Sequence, residues 1–102
     1  MIGSITPSEA AGREDLWILD VREPHEWDFV HLPESRHIPL RQLPALLDQL
    51  PKDRAIACLC HHGIRSRHAA ELLHSAGFSE VCNIEGGIDR WAIEVDPALP
   101  RY

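Results

Sequence analysis

No run of about 18 apolar residues occurs in this 102-residue chain, so the sequence holds no candidate membrane-crossing helix. A basic excess is missing too. Ten Lys and Arg stand against sixteen Asp and Glu, a net charge of −6, which removes any sequence-wide attraction to nucleic acid or to an anionic bilayer. The opening residues, Met1-Ile2-Gly3-Ser4-Ile5-Thr6-Pro7-Ser8-Glu9, carry neither a basic leader nor an apolar one, and a cytoplasmic location is expected. Cysteine is scarce and odd in number: Cys58, Cys60 and Cys82 fit reduced thiols better than a disulfide framework. Internal repeats and low-complexity tracts are absent. What is present has the composition of an ordinary globular protein, at a length that hides roughly 60–65% of the unfolded surface and so supports one core without staples. A single domain over residues 1–102 is expected, with a proline-containing tail from about residue 96.

Local patterns predict alternating helices and strands. Thr6-Pro7-Ser8-Glu9 starts a short helix that ends near Gly12: Thr6 caps, Pro7 suits the first helical position, and Glu9 completes a capping box. Leu16-Trp17-Ile18-Leu19 is a continuous apolar run closed by Asp20, the signature of a strand buried on both faces. Residues 23–29 make about two turns of helix with Pro24 early in them, and a proline-marked extended passage follows, in which His37-Ile38 pairs as a brief strand. Leu40, Leu43, Leu46, Leu47 and Leu50 recur at helical spacing and predict one amphipathic helix stopped by Pro51. Ala55-Ile56-Ala57-Cys58-Leu59 is a second fully apolar strand. An amphipathic helix from Ser66 follows, with Ala69, Ala70, Leu72, Leu73 and Ala76 inward and Gly77 as its C-cap. A third strand covers residues 80–84, Glu85-Gly86-Gly87 turns, and Ile88, Trp91, Ala92 and Val95 mark a last short helix. This alternation implies an α/β domain, a mainly parallel sheet with helices on both faces, whose ligand site lies beyond the carboxyl ends of the strands. Asp20 and Cys60 each end an apolar strand and should face that side.

The segment Cys60-His61-His62-Gly63-Ile64-Arg65-Ser66 carries the chemistry. A thiol attacks as its thiolate, and a free cysteine, with a pKa near ~8.5, is mostly protonated at neutral pH. A position between a strand and a helix puts the sulfur at the positive end of a helix dipole. A tight loop containing Gly63 turns backbone N–H groups inward as an anion nest. Arg65 adds a fixed charge with a bidentate geometry suited to oxyanions, and His61 and His62 add donors. Each residue alone has a plainer reading: an inert buried cysteine, loop histidines, a turn glycine, a solvated arginine. Their coincidence after a buried strand and before a helix is what gives the segment its specificity. Cys58 shares the strand face of Cys60 and reads either as a resolving thiol or, better, as a small core residue; Cys82 also reads as core. Cys58, Cys60, His61 and His62 taken as zinc ligands lack a second half-site, and contiguous ligands strain a tetrahedron.

The same segment resembles the Cys-x-x-Gly-x-Arg-Ser active-site loop of rhodanese-like sulfurtransferases, and the likeness covers nearly the whole chain. Leu19-Asp20-Val21-Arg22-Glu23 is similar to the family's first motif, followed by Glu26-Trp27, His31-Leu32 and Ile38-Pro39. Ala76-Gly77-Phe78 with Val81, then Glu85-Gly86-Gly87-Ile88 and Trp91, match its end. Val30 and Glu34-Ser35 depart from the glycine-containing pattern there. The resemblance implies a three-layer domain and a two-step transfer in which Cys60 takes a sulfane sulfur from thiosulfate or a persulfide donor and passes it to cyanide or a thiol. It implies Cys60 and Arg65 as the catalytic pair, with His61, His62, Gly63, Ile64 and Ser66 as the substrate cradle and Asp20 and Arg22 as support. Trp17, Trp27 and Trp91 read as packing residues, with a place near the site rim as the alternative for Trp91. No metal or organic cofactor is expected. The implied partners are a small anionic sulfur donor and a thiol acceptor such as glutathione, thioredoxin or a carrier protein, with no nucleic acid or membrane partner. Cys60 and Arg65 form Cys-x₄-Arg, the loop length of sulfur-transferring members, whereas related phosphatases carry Cys-x₅-Arg. A non-catalytic or regulatory rhodanese-like module, and a redox or metal-binding protein using Cys60 with Cys58, are the competing readings.

Overall fold

The computed structural model describes residues 2–102. Five strands, β1 (Gly3–Ile5), β2 (Trp17–Asp20), β3 (Arg36–His37), β4 (Ile56–Leu59) and β5 (Val81–Ile84), form one sheet in the order β1-β5-β4-β2-β3. Every pairing is parallel. The connecting helices are α1 (Pro7–Ala11), α2 (Pro24–Phe29), α3 (Leu43–Leu46), α4 (Ile64–Ser75) and α5 (Gly87–Glu94). The continuous apolar runs are explained by this layering, because a parallel sheet covered by helices offers no solvated face. All four residues of β4 are buried.

Alternate residues of the central strands feed two cores. Leu19, Ile56 and Cys58 meet Leu43 of α3, Ala69, Ala70 and Leu73 of α4, and Phe78. On the opposite face Ile18, Ala57, Leu59 and Ile84 meet Ala10 of α1 and Ile88 and Trp91 of α5. Burying a side chain such as Leu73 or Phe78 contributes about 1.5–3 kcal/mol each, and these contacts hold the three layers together. From β2 the chain moves outward to β3, and then returns to β4 on the other side of β2 before continuing to β5. The direction of winding thus reverses between β2 and β4, which opens a crevice at their carboxyl ends. Asp20 pairs in register with Leu59, so Asp20 and Cys60 both reach this crevice.

Capping chemistry sets the helix starts. Thr6 Oγ1 accepts from Glu9 N–H at 3.1 Å while Glu9 accepts from Thr6 N–H at 2.8 Å, and Pro7 opens α1. Glu23 and Glu26 make the corresponding box around Pro24 in α2. The leucine-spaced segment is not one helix. A 3₁₀ turn over Leu40–Gln42, the four-residue α3 and a second 3₁₀ turn over Leu47–Gln49 replace it. Pro44 has no N–H to give Leu40, so the i→i−4 ladder cannot run through, yet Leu43 and Leu50 still bury. Strand β1 lacks an alternating pattern and forms because its backbone adds to β5 at the sheet edge. Helix α4 begins at Ile64, two residues earlier than expected. Its cap is Ala76, with Gly77 one residue beyond and Phe78 N–H returning to Leu73 O at 3.1 Å. Strand β3 sits one residue earlier than expected. Around the departure from the family pattern, Val30 is buried and Ser35 Oγ donates to Leu32 O at 2.8 Å, closing a local turn before β3.

Candidate active site

Strand β4 delivers Cys60 to the crevice, and the next three residues turn the chain into α4. Gly63 makes this possible at φ +100°, a conformation that side chains rarely adopt. The Cys60 sulfur then accepts from Gly63 N–H at 3.1 Å and from Ser66 N–H at 3.3 Å. Those two amides are first-turn groups of a 12-residue helix and have no carbonyl partner within it, so negative charge on the sulfur is met by N–H dipoles and by the positive helix end. The amides of His61, His62, Ile64 and Arg65 make no bond to the Cys60 sulfur itself.

A side-chain network fixes the loop from below. The Cys60 thiol donates to Ser66 Oγ at 3.2 Å, Ser66 Oγ–H donates to Asn83 Oδ1, and Asn83 Nδ2 donates to Gly63 O at 3.0 Å. Asn83 therefore ties β5 to both ends of the turn. From above, Ile88 N–H donates to Cys60 O at 2.8 Å and Asp89 N–H to His61 O at 3.2 Å, so the N-terminus of α5 clamps the loop carbonyls. Gly87, at φ +60°, lets that helix come close: a Cβ there would stand 2.3 Å from Cys60 O.

Arg65 extends from α4 to α2. Its Nη1 and Nη2 donate to Glu26 Oε1 and Oε2 at 2.6 and 2.9 Å. Paired to Arg65, the Glu26 carboxyl is held down at about 2, although its burial alone would raise it. The hydrogen-bonded Glu26 carboxylate holds the Arg65 guanidinium well above its usual range, with a smaller contribution from Cys60. The first motif lies beneath this pair. Arg22 is fully buried and donates to both Asp20 oxygens, to Val30 O and to the Tyr102 hydroxyl. Burial is the largest influence and opposes its charge, but the hydrogen bonds to Asp20 and Tyr102, with the charge of Asp20, together outweigh that cost. Asp20 spends its carboxylate on Arg22 rather than on the Cys60 loop. Among the described residues, every buried side-chain nitrogen and oxygen has a partner.

The remaining loop residues stand at the rim. Ile64 is 70% exposed. His61 stacks on His62 with ring centroids 3.8 Å apart and on Tyr102 at 3.9 Å. Burial, then the neighbouring His62, lowers the His61 pKa, so neutral imidazole is favoured. His61, His62 and Asp89 bring one ligand atom each within 4.8 Å and could hold a cation, but Asp89 is already paired with Arg101 at 2.8 and 3.2 Å. Cys58 lies in the core, where burial raises its thiol pKa, and burial does the same to Cys82. Trp91, on α5, is buried beside Ala10 of α1 and Ile18 of β2, in keeping with its reading as a packing residue.

The rhodanese-like domain matches residues 7–94. The chain belongs to the rhodanese-like sulfurtransferase family. It is 37% identical over 106 residues to the probable adenylyltransferase/sulfurtransferase MoeZ of Mycobacterium tuberculosis, a match covering 97% of this chain and 27% of that protein. The chain thus spans about a quarter of that relative's length. It is 36% identical over 74 residues to the thiosulfate sulfurtransferase GlpE of Stutzerimonas stutzeri, covering 72% of this chain and 68% of that one. The crystal structure of a rhodanese-related protein from Thermoplasma volcanium superposes with a TM-score of 0.86 at 34% identity, over 91% of this chain and 93% of the other. The expected three-layer rhodanese-like fold is present.

Four contributors to this rhodanese-like site were not assigned a role from the sequence: Glu26, Asn83, Gly87 and Tyr102. Asn83 carried a signal, being the polar residue in an otherwise apolar strand of Val81, Cys82 and Ile84. Glu26 was visible only within the acidic–aromatic pair, where a capping role hides its second duty. Gly87 looked like one more turn residue. Tyr102 had no local signal, since only the folded tail brings it against α2 and the loop.

Proposed function

We propose that this protein moves a sulfane sulfur from thiosulfate or a persulfide donor to a thiol or cyanide acceptor through a persulfide on Cys60. The observation that carries this reading is the pair of helix-α4 amides aimed at the Cys60 sulfur. In the first half-reaction the Cys60 thiolate attacks the outer sulfur of thiosulfate. The sulfur–sulfur bond of the donor breaks, sulfite leaves with the electron pair, and Cys60 carries the terminal sulfur as an anionic persulfide. In the second, cyanide or an acceptor thiolate attacks that terminal sulfur and the Cys60 thiolate departs. Gly63 and Ser66 amides stabilise the anion in each state, because the nest serves sulfur charge whichever atom bears it. Ser66 Oγ, which takes the thiol proton's hydrogen bond, can rotate to donate once that proton is gone. Arg65 meets the donor anion, with His61 and His62 at the rim, while Asp20 and Arg22 hold α2 and Tyr102 in place.

Thiosulfate as donor is supported by the likeness to a thiosulfate sulfurtransferase, and the Cys-x₄-Arg spacing of Cys60 and Arg65 favours sulfur transfer over phosphatase chemistry. Intact-mass measurement after incubation with thiosulfate tests the proposal. The protein should gain one sulfur atom, lose it to cyanide as thiocyanate, and do neither as Cys60→Ala. A wild-type protein that takes up no sulfur and forms no thiocyanate would remove the reading in favour of a non-catalytic module.

A further inference from the structure

The Glu26 carboxylate has four donors, two for each oxygen. Oε1 accepts from Arg65 Nη1 at 2.6 Å and from Glu23 N–H at 2.9 Å; Oε2 accepts from Arg65 Nη2 at 2.9 Å and from the Tyr102 hydroxyl at 2.7 Å. Arg65 thus has two of its donor nitrogens committed to an internal carboxylate rather than to an anionic substrate. Glu26 is nearly buried, so a carboxylate abandoned by its arginine would lose most of its compensation without access to much water. The other two donors answer that difficulty. If Arg65 turns away, each Glu26 oxygen still keeps one hydrogen bond, from Glu23 N–H on one side and Tyr102 on the other.

We propose that Tyr102 is a positioning residue for Arg65, its phenol holding Glu26 while the guanidinium exchanges that carboxylate for the anionic sulfur donor. This rests on the sulfurtransferase reading above. Hydrogen bonds to a carboxylate strengthen when a competing cation leaves, so the Tyr102 bond favours the released state of Arg65 more than the paired one. The phenol is itself fixed for the task. Arg22 Nη1 donates to its oxygen at 3.0 Å, and Arg22 is anchored in turn by buried Asp20. The ring stacks on His61 at 3.9 Å and meets Phe29 edge-on at 5.8 Å, and the Tyr102 main-chain oxygen accepts from His61 Nε2 at 2.8 Å. Arg101 secures the preceding residue to Asp89. Burial pushes the phenol up to about 12, so it stays a donor throughout the neutral range. The match to the rhodanese-like domain ends at residue 94, so this support comes from a segment outside the matched family region.

Tyr102→Phe isolates the hydroxyl, because the aromatic contacts to His61 and Phe29 and the main-chain bond survive. Without it, Arg65 should stay closer to Glu26. The expected result is a roughly three- to tenfold rise in KM for thiosulfate, with kcat at saturating thiosulfate and the rate of Cys60 alkylation by iodoacetamide unchanged. In a Glu26→Gln background the same substitution should raise KM by less, since Tyr102 acts through that carboxylate. If the double variant fails to fold, the separation of KM from kcat in Tyr102→Phe decides alone. An unchanged KM, equal losses in kcat and kcat/KM, or a lower KM (the behaviour of a lid that blocks access) would overturn the proposal while leaving the sulfurtransferase reading intact. A wild-type protein that takes up no sulfur would overturn both.

Discussion

Gly87→Ala offers a sharp test of how the Cys60 loop is held. A methyl group at position 87 would lie 2.3 Å from Cys60 O and 2.4 Å from His61 O, both main-chain atoms that cannot rotate out of the way. Restoring an ordinary contact requires the loop and the start of α5 to separate by about 1 Å. The backbone adds to the cost, since φ at Gly87 is +60° and an alanine there loses about 1–2 kcal/mol. The same separation stretches the bonds from Ile88 N–H to Cys60 O and from Asp89 N–H to His61 O, each contributing roughly 0.5–1.5 kcal/mol. A total destabilisation of about 2–5 kcal/mol follows, below or at the lower edge of the ordinary stability of a domain, so urea unfolding should show a weakened but folded protein. Activity should fall further than stability. A displacement of the nucleophile by about 1 Å can cost on the order of 100-fold in rate. The assay is the initial rate of thiocyanate formation at saturating thiosulfate and cyanide, run beside urea unfolding of the same preparation. Gly3→Ala is the control, because nothing lies within 4 Å of a Cβ at that position in β1. If Gly87→Ala turned over like the wild type, the α5 clamp would not be what sets the sulfur's position.

Asn83→Ala should lower stability by about 1–3 kcal/mol and slow sulfur uptake, because it frees the buried Ser66 hydroxyl and Gly63 O together; unchanged uptake with normal folding would show that the amides alone hold the loop. Arg65→Ala should weaken thiosulfate use by about 2–3 kcal/mol in kcat/KM, and identical kinetics would take Arg65 out of the reaction. Glu26 makes stability depend on pH in a defined window. Its folded pKa, about 2, is lower than its unfolded value of about 4.5, so the Arg65 pair contributes its full share above pH 4.5 and loses it as pH falls toward 2. Thermal unfolding of the wild type should therefore weaken more steeply across that range than that of Glu26→Gln, and parallel curves would refute the assignment. Cys58→Ala should leave turnover unchanged, as expected of a core residue, and a loss of persulfide discharge would instead make Cys58 a resolving thiol.

Much of the fold could be read locally because local rules govern it. Apolar runs at residues 16–19 and 55–59 report burial on both faces, and the capping box at Thr6 and the early Pro24 announce helix starts within a few residues. The spaced leucines misled because periodicity records which face is buried, not whether the hydrogen-bond ladder is continuous, and Pro44 interrupts the ladder. Strand β1 was invisible for a different reason: it exists through pairing with β5, some eighty residues away in the chain.

The site divides along the same line. Sequence alone determined that Cys60 follows a buried strand, that a glycine-containing turn and a helix come next, and that Arg65 stands five positions on, because these are relations between neighbours along the chain. It could not determine what Arg65 faces. Tertiary structure decided that Glu26 occupies the guanidinium, that Asn83 locks Ser66 and Gly63, that Gly87 admits α5 against the loop carbonyls, and that Tyr102 completes the Glu26 shell. Each of those contacts joins elements distant in sequence, and their partners are selected by where the sheet order brings β2, β4 and β5 together, not by any pattern within a single segment.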